Sequence, residues 1–249
     1  MTGVQTCALP ISTWRVELFP EYKANRLEAD GEGEEEPDLL TPQIPILLDV
    51  LDAFGIPIVG ADDYEADDVM ATYAVTEPGP IRIVTGDRDL FQLVKPDPDV
   101  QVIYLARGIS NHDLVNQDWI AKKYEIPGDR YGLFATFRGD ASDGLPGVKG
   151  IGEKGAALIA RHYSTADEAI AGALAGHEHL TAGLRKKIIE GKDYLSFAPK
   201  LVACATDVPL PKIDLNMPKK PKSMEQIHEL QEKYGLGASV DRLISALNW

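Results

Sequence analysis

Seven carboxylates fall in three short clusters whose chemistry suits a divalent metal ion. Glu65, Asp67 and Asp68 stand together in Tyr64-Glu-Ala-Asp-Asp-Val69, Asp87 and Asp89 in Thr85-Gly-Asp-Arg-Asp89, and Asp140 and Asp143 in Gly139-Asp-Ala-Ser-Asp-Gly144. Hard oxygen ligands with no His or Cys beside them select Mg²⁺ or Mn²⁺ over zinc. Two such ions about 3.5–4 Å apart are the usual apparatus for phosphodiester chemistry. Each cluster also has a plainer explanation. Glu65 and Asp68 share a helix face and suit a first turn, Asp89 suits an N-cap, and Asp140 to Gly144 suits a simple turn. If all seven converged, their repulsion would demand neutralising cations.

Convergence requires elements that bring three segments to one edge. Apolar residues at helical spacing (Ile44, Leu47, Leu48, Leu51) predict a helix over 41–54 with Gly55 as its C-cap. Short apolar runs predict strands over 56–59, 81–84 and 100–105, with helices over 64–74 and 89–94 between them. Alternating strands and helices imply right-handed βαβ units and a buried parallel sheet. Ligands bind beyond the carboxyl ends of such strands, which is where Asp87 and Asp89 would project. Upstream, residues 14–26 are amphipathic and end in Tyr22, Lys23 and Arg26. The acidic stretch 28–38 reads as a loop.

From about Gly128 the pattern changes. Glycines and prolines cluster in Leu145-Pro-Gly-Val-Lys-Gly-Ile-Gly-Glu-Lys-Gly155, ahead of helices predicted over 156–162, 166–175, 180–190 and 194–204. A basic linker over 218–222 then leads to helices over 224–234 and 240–247. In the glycine-rich run, Gly147, Gly150 and Gly152 permit tight turns that bring N–H groups close to a phosphate at a helix N-terminus. Lys149 and Lys154 add charge without base selectivity. The Gly-Lys-Ser/Thr ending of a nucleotide-hydrolysing loop is absent.

Composition sets outer bounds. The 249 residues are 44% hydrophobic and 26% charged, with a formal charge of −14. That charge argues against a binder coated in basic residues and leaves room for a local basic surface. Two distant cysteines, Cys7 and Cys204, exclude a disulfide framework and fit a reducing cytoplasm. No apolar run is long enough for a transmembrane helix. Residues 1–12 share no period with the rest of the chain and read as a foreign leader.

The motifs at 64–69, 84–90 and 139–154, with Phe19-Pro-Glu-Tyr-Lys-Ala-Asn-Arg26 ahead of them, resemble the bacterial 5′–3′ exonuclease and flap endonuclease family. The resemblance runs from about Trp14 to the C-terminus. It implies an α/β fold: a PIN-like parallel-sheet nuclease domain over 13–129, a helix-three-turn-helix DNA-binding module over 130–215 and a helical tail over 216–249. It implies a cytoplasmic, monomeric enzyme that acts on DNA with 5′ flaps or 5′ ends and uses two or more Mg²⁺ or Mn²⁺ ions. Glu65, Asp67 and Asp68 would then serve one metal site, and Asp87, Asp89, Asp140 and Asp143 the other. Lys23 and Arg26 would meet the scissile phosphate or the threaded strand, and Tyr22 would stack on a base. Gly147 to Gly152 would hold duplex DNA, with K⁺ on hairpin carbonyls. Family members open with an apolar strand ending in an Asp ligand, a helix, and a second strand bearing another Asp. Residues 1–12 stand in that place, so the N-terminal strands and both ligands are expected to be missing. The alternative expectation is therefore a catalytically dead DNA-binding remnant.

Overall fold

The structure, a computed structural model, describes residues 13–24, 39 and 41–249. The leader at 1–12, Arg26 and the acidic stretch 28–38 lie outside the described residues. A short helix α1 (Thr13–Leu18) comes first. Helix α2 (Ile44–Phe54) comes after a 3-10 turn at Thr41–Gln43 and ends on Gly55, whose φ of 76° is the left-handed cap expected there.

Helix α3 (Ala66–Thr76) starts two residues later than the spacing suggests, because Glu65 is its N-cap and Asp68 completes a capping box. Strand β1 (Ile81–Thr85) leads through a 3-10 turn (Asp89–Leu93) to β2 (Lys95–Pro96), β3 (Asp99–Tyr104) and β4 (Asp113–Val115). β1 and β3 are parallel, with Ile81 opposite Val100 and Thr85 opposite Tyr104. β2 and β4 both pair with β3 in antiparallel fashion. The sheet is thus mixed, in contrast to the all-parallel expectation. The run 56–59 forms no strand: among the described residues β1 is paired on one side only, by β3. An apolar run without a ladder partner has nothing to satisfy its backbone as a strand.

Helices fill the rest: α4 (Gln117–Tyr124), α5 (Tyr131–Arg138), α6 (Glu153–His162), α7 (Ala166–Ala175), α8 (Ala182–Glu190), α9 (Lys192–Leu195) and α10 (Ala198–Val202). Side-chain oxygens of Asn116, Thr165 and Thr181 cap α4, α7 and α8. One buried apolar cluster runs unbroken from Ile83, Val100 and Val102 in the sheet through Phe91, Tyr131 and Phe134 to Ile159, Ile188 and Leu201. Front and back halves therefore share a core, which fixes the sheet's carboxyl edge against the glycine-rich turn. A second, smaller cluster joins the end of α2 to α11 (Met224–Tyr234) and α12 (Gly237–Leu247), with Phe54 stacked on Trp249 at 5.6 Å. Lys222 of the basic linker is bound to Asp52 of α2 at 2.7 and 2.8 Å.

Candidate functional site

Three chain segments meet at the edge where their spacing in the sequence puts them, but the seven carboxylates divide into two kinds. Asp68, fully buried, is engaged on both oxygens. The Arg15 guanidinium donates to each at 2.7 Å, Ala205 N–H donates at 2.7 Å, and Glu65 N–H donates at 3.0 Å. Burial pushes this carboxyl up, but Arg15 and the two N–H groups outweigh that and hold it below its ordinary range. With its lone pairs so taken, Asp68 would ligate a metal only by exchanging one of these donors for the ion.

Asp140 is similarly engaged. One oxygen accepts from Ser142 N–H at 3.0 Å and the Ser142 hydroxyl at 2.5 Å, the other from Arg88 at 3.1 Å and Arg138 at 3.2 Å. These donors outweigh burial and keep its pKa low. Asp140 is the N-cap of a 3-10 turn over Ala141–Asp143, and it too would ligate a metal only by exchanging a donor.

The other five are engaged to different degrees: Glu65 and Asp143 are buried against Lys23 and Tyr22, while Asp67, Asp87 and Asp89 are at least partly exposed. Asp87 is exposed, and its Oδ1 accepts the Asp89 N–H at 2.9 Å, while the Thr85 hydroxyl accepts the Asp87 N–H at 2.9 Å. Burial first, then the charge of Asp87, pushes Asp67 up to about 7. Burial, then Asp87 and Asp143, pushes Asp89 up to about 8. Such shifts arise when carboxyls are buried and, second, when like charges stand nearby without enough compensation. Glu65, Asp67, Asp87, Asp89 and Asp143 thus form one acidic patch drawn from the start of α3, the end of β1 and the loop after α5.

Lys23 sits within that patch. It is buried, adopts a left-handed backbone with φ of 54°, and its ammonium is paired with Glu65 and lies 3.7 Å from Asp143. Its N–H donates to the Asp143 carbonyl at 3.0 Å, which ties the segment to the loop. Tyr22 is corrected. It is only 3% exposed, and its hydroxyl donates toward Glu65 at 3.3 Å and Asp143 at 3.4 Å, so it has no free face for a base. Burial, then those two carboxylates, pushes its pKa well up. Arg15 went unrecognised in the sequence. Its partner Asp68 lies 53 positions away, and Arg15 carries no motif of its own.

In the glycine-rich turn, Lys149, Gly150, Gly152 and Lys154 are exposed, while Gly147 is buried. Gly147 has φ of 67°, and a Cβ there would lie 2.5 Å from the Arg138 carbonyl; it shapes the turn and is no contact surface, which corrects that expectation. Gly152 precedes α6 with no side-chain cap, so no cap side chain takes up the first-turn N–H groups. Within the hairpin, the Gly150 carbonyl accepts from Lys187 Nζ at 2.6 Å and the Val148 carbonyl from Ile151 N–H at 2.9 Å.

As a metal site the donor chemistry fits, being oxygen-only and insufficiently neutralised. Among the described residues, however, no three His, Cys, Asp or Glu side chains are already arranged around one ion. No described helix is long and apolar enough to cross a membrane.

Residues 6–125 match the family model of the 5′–3′ exonuclease N-terminal resolvase-like domain, and 126–225 that of the 5′–3′ exonuclease C-terminal SAM fold. A 5′–3′ exonuclease of Streptomyces coelicolor is 44% identical over 94% of this chain and 79% of its own length. DNA polymerase I of Mycobacterium tuberculosis is 33% identical over 94% of this chain and 25% of its own length. Among solved structures, the bacteriophage T5 flap endonuclease, in a pseudo-enzyme–product complex with DNA and metal ions, has a TM-score of 0.62 at 19% identity. It covers 95% of this chain and 79% of its own.

Proposed function

The chain belongs to the 5′–3′ exonuclease family, and we propose that it hydrolyses DNA phosphodiesters at 5′ ends and 5′ flaps, in replication and repair. The products would be a 5′-phosphate and a 3′-hydroxyl. The observation that carries this reading is the meeting of five crowded carboxylates with Lys23 at the carboxyl edge of the sheet. Mg²⁺ or Mn²⁺, when bound, would supply a more acidic attacking water and neutralise charge on the phosphate. Asp67, Asp87, Asp89, Asp143 and Glu65 are the residues to hold it. Lys23 would hold the scissile phosphate by charge, and the Arg15–Asp68 pair keeps the first turn of α3 fixed beneath the site. Lys149, Lys154 and the N–H groups after Gly152 would grip the duplex backbone by charge and by helix-end hydrogen bonds.

Binding without cleavage is a second reading, favoured by the hydrogen bonds that engage Asp68 and Asp140. The test is incubation of the chain with a labelled 5′-flap duplex and Mn²⁺, beside an Asp87→Ala control. Cleavage lost in the control with DNA binding retained is the expected result. Binding with no cleavage at any Mg²⁺ or Mn²⁺ concentration would establish the second reading. Cleavage undiminished in Asp87→Ala would refute the first.

A further inference from the structure

Beside the acidic patch lies a groove of opposite sign. A cavity of about 600 Å³ opens between the end of β3, the turn after it and α4. Two aromatic rings, Tyr104 and Trp119, and three cations, Arg107, Lys122 and Lys123, line it, with Asp113 as its single acid. The cations are all exposed and the rings half-buried. A net positive hollow is unusual on a chain of formal charge −14, and it is sized for a nucleotide-scale occupant.

Its position is set by the sheet. Tyr104 is opposite Thr85 in the parallel ladder, and Leu105 N–H donates to the Thr85 carbonyl at 2.9 Å. Thr85 is two residues from Asp87, so the groove begins one strand away from the acidic loop. Phe91, two residues after Asp89, is packed edge-on against both rings, at 5.0 Å from Tyr104 and 5.5 Å from Trp119. The turn that carries the carboxylates thus packs against both rings of the groove.

We propose that this groove binds an unpaired stretch of the DNA substrate, its bases on Trp119 and Tyr104 and its phosphates on Arg107, Lys122 and Lys123. The inference rests on the nuclease reading above. Duplex DNA hides its base faces, so aromatic rings set between cations favour a single strand. Lys123 Nζ rests 4.4 Å from the Trp119 ring centre, and Arg107 bonds both oxygens of Asp113 at 2.9 Å. An arriving strand replaces these internal contacts with phosphates and a base. The groove would hold the strand that leads away from the cut, and its grip would raise affinity for substrates with single-stranded extensions.

The experiment measures fluorescence anisotropy in EDTA, where no cleavage occurs, with a blunt duplex and the same duplex bearing a single-stranded 5′ extension. The variant is Arg107→Ala/Lys122→Ala/Lys123→Ala, all at exposed positions. The variant is expected to lose about tenfold in affinity for the extended substrate and nothing for the blunt one. Its slope of log affinity against log salt should be shallower by about 2, at roughly 0.7 per phosphate contact. Quenching of tryptophan fluorescence by oligo-dT should also be smaller in Trp119→Phe, which leaves Trp14 and Trp249 as reporters. Equal losses on both substrates, or none on either, would overturn the groove proposal alone. Failure of the parent chain to bind any DNA would overturn the nuclease reading and this inference together.

Discussion

Asp68 accepts two guanidinium N–H and two backbone N–H groups, and a carboxylate so engaged has no lone pair left for an ion. Asp87, nineteen positions on, is exposed and, among the described residues, accepts only the Asp89 N–H. The same functional group therefore has two different jobs. Asp68→Ala strands a buried guanidinium, and removal of one partner from such a pair costs about 3–5 kcal/mol. Chemical denaturation should show that loss, while the Mn²⁺ affinity of the folded fraction stays within a factor of two. Asp87→Asn should do the reverse. It relieves repulsion on Asp67 and Asp89, leaves stability intact or higher, and lowers Mn²⁺ affinity. A large loss of Mn²⁺ affinity in Asp68→Ala would show that its oxygens reach the metal after all.

Among the elements, the turn between α5 and α6 bears the tightest geometry. Gly139 and Gly147 cross so closely that a Cβ on either would come within 2.5 Å of the other segment's backbone, and both have positive φ. Gly147→Ala should lower stability by at least 1–3 kcal/mol from backbone strain alone and weaken duplex binding as the turn shifts. Gly152 has open space around it and an extended φ of −94°. Gly152→Ala should keep the melting temperature and still weaken duplex binding, because the added methyl blocks close approach of a phosphate. Equal stability in Gly147→Ala and the parent would remove the argument for the crossing.

This turn was legible because glycine spacing encodes it locally, as was the Gly55 cap, whereas Glu65 and Asp68 read as first-turn residues and not as a capping box. The antiparallel strands β2 and β4 were not, at two and three residues, too short to show any period. The helix expected over 194–204 breaks into α9 and α10, with Pro199 in the first turn of the second, where its missing N–H costs nothing. Site roles set by distant partners were hidden too. Arg15 on Asp68 and Arg88 with Arg138 on Asp140 decide which carboxylates stay open, and no local pattern announces them.

Across the whole molecule, the raised carboxyls tie stability to pH in a definite direction. Asp67 at about 7 and Asp89 at about 8 retain protons in the folded state that an unfolded carboxyl, near 3.9, has already lost. Between about pH 4 and pH 8 the folded chain therefore binds more protons, and stability must fall as pH rises through that window. The depressed pKa values of Asp68 and Asp140 act the other way, but only as pH drops below about 4. The formal charge of −14 adds repulsion of the same sign as the raised groups at neutral pH and above. In EDTA, melting temperature should thus be higher at pH 5.5 than at pH 8. Saturating Mg²⁺ should flatten the decline by taking the place of the protons on the acidic patch. Asp89→Asn should flatten it without metal, since it removes the most strongly raised of these groups. A metal-free melting temperature that climbs from pH 5.5 to pH 8 would mean that burial and like charge do not raise Asp67 and Asp89, and the candidate site would lose its electrostatic basis.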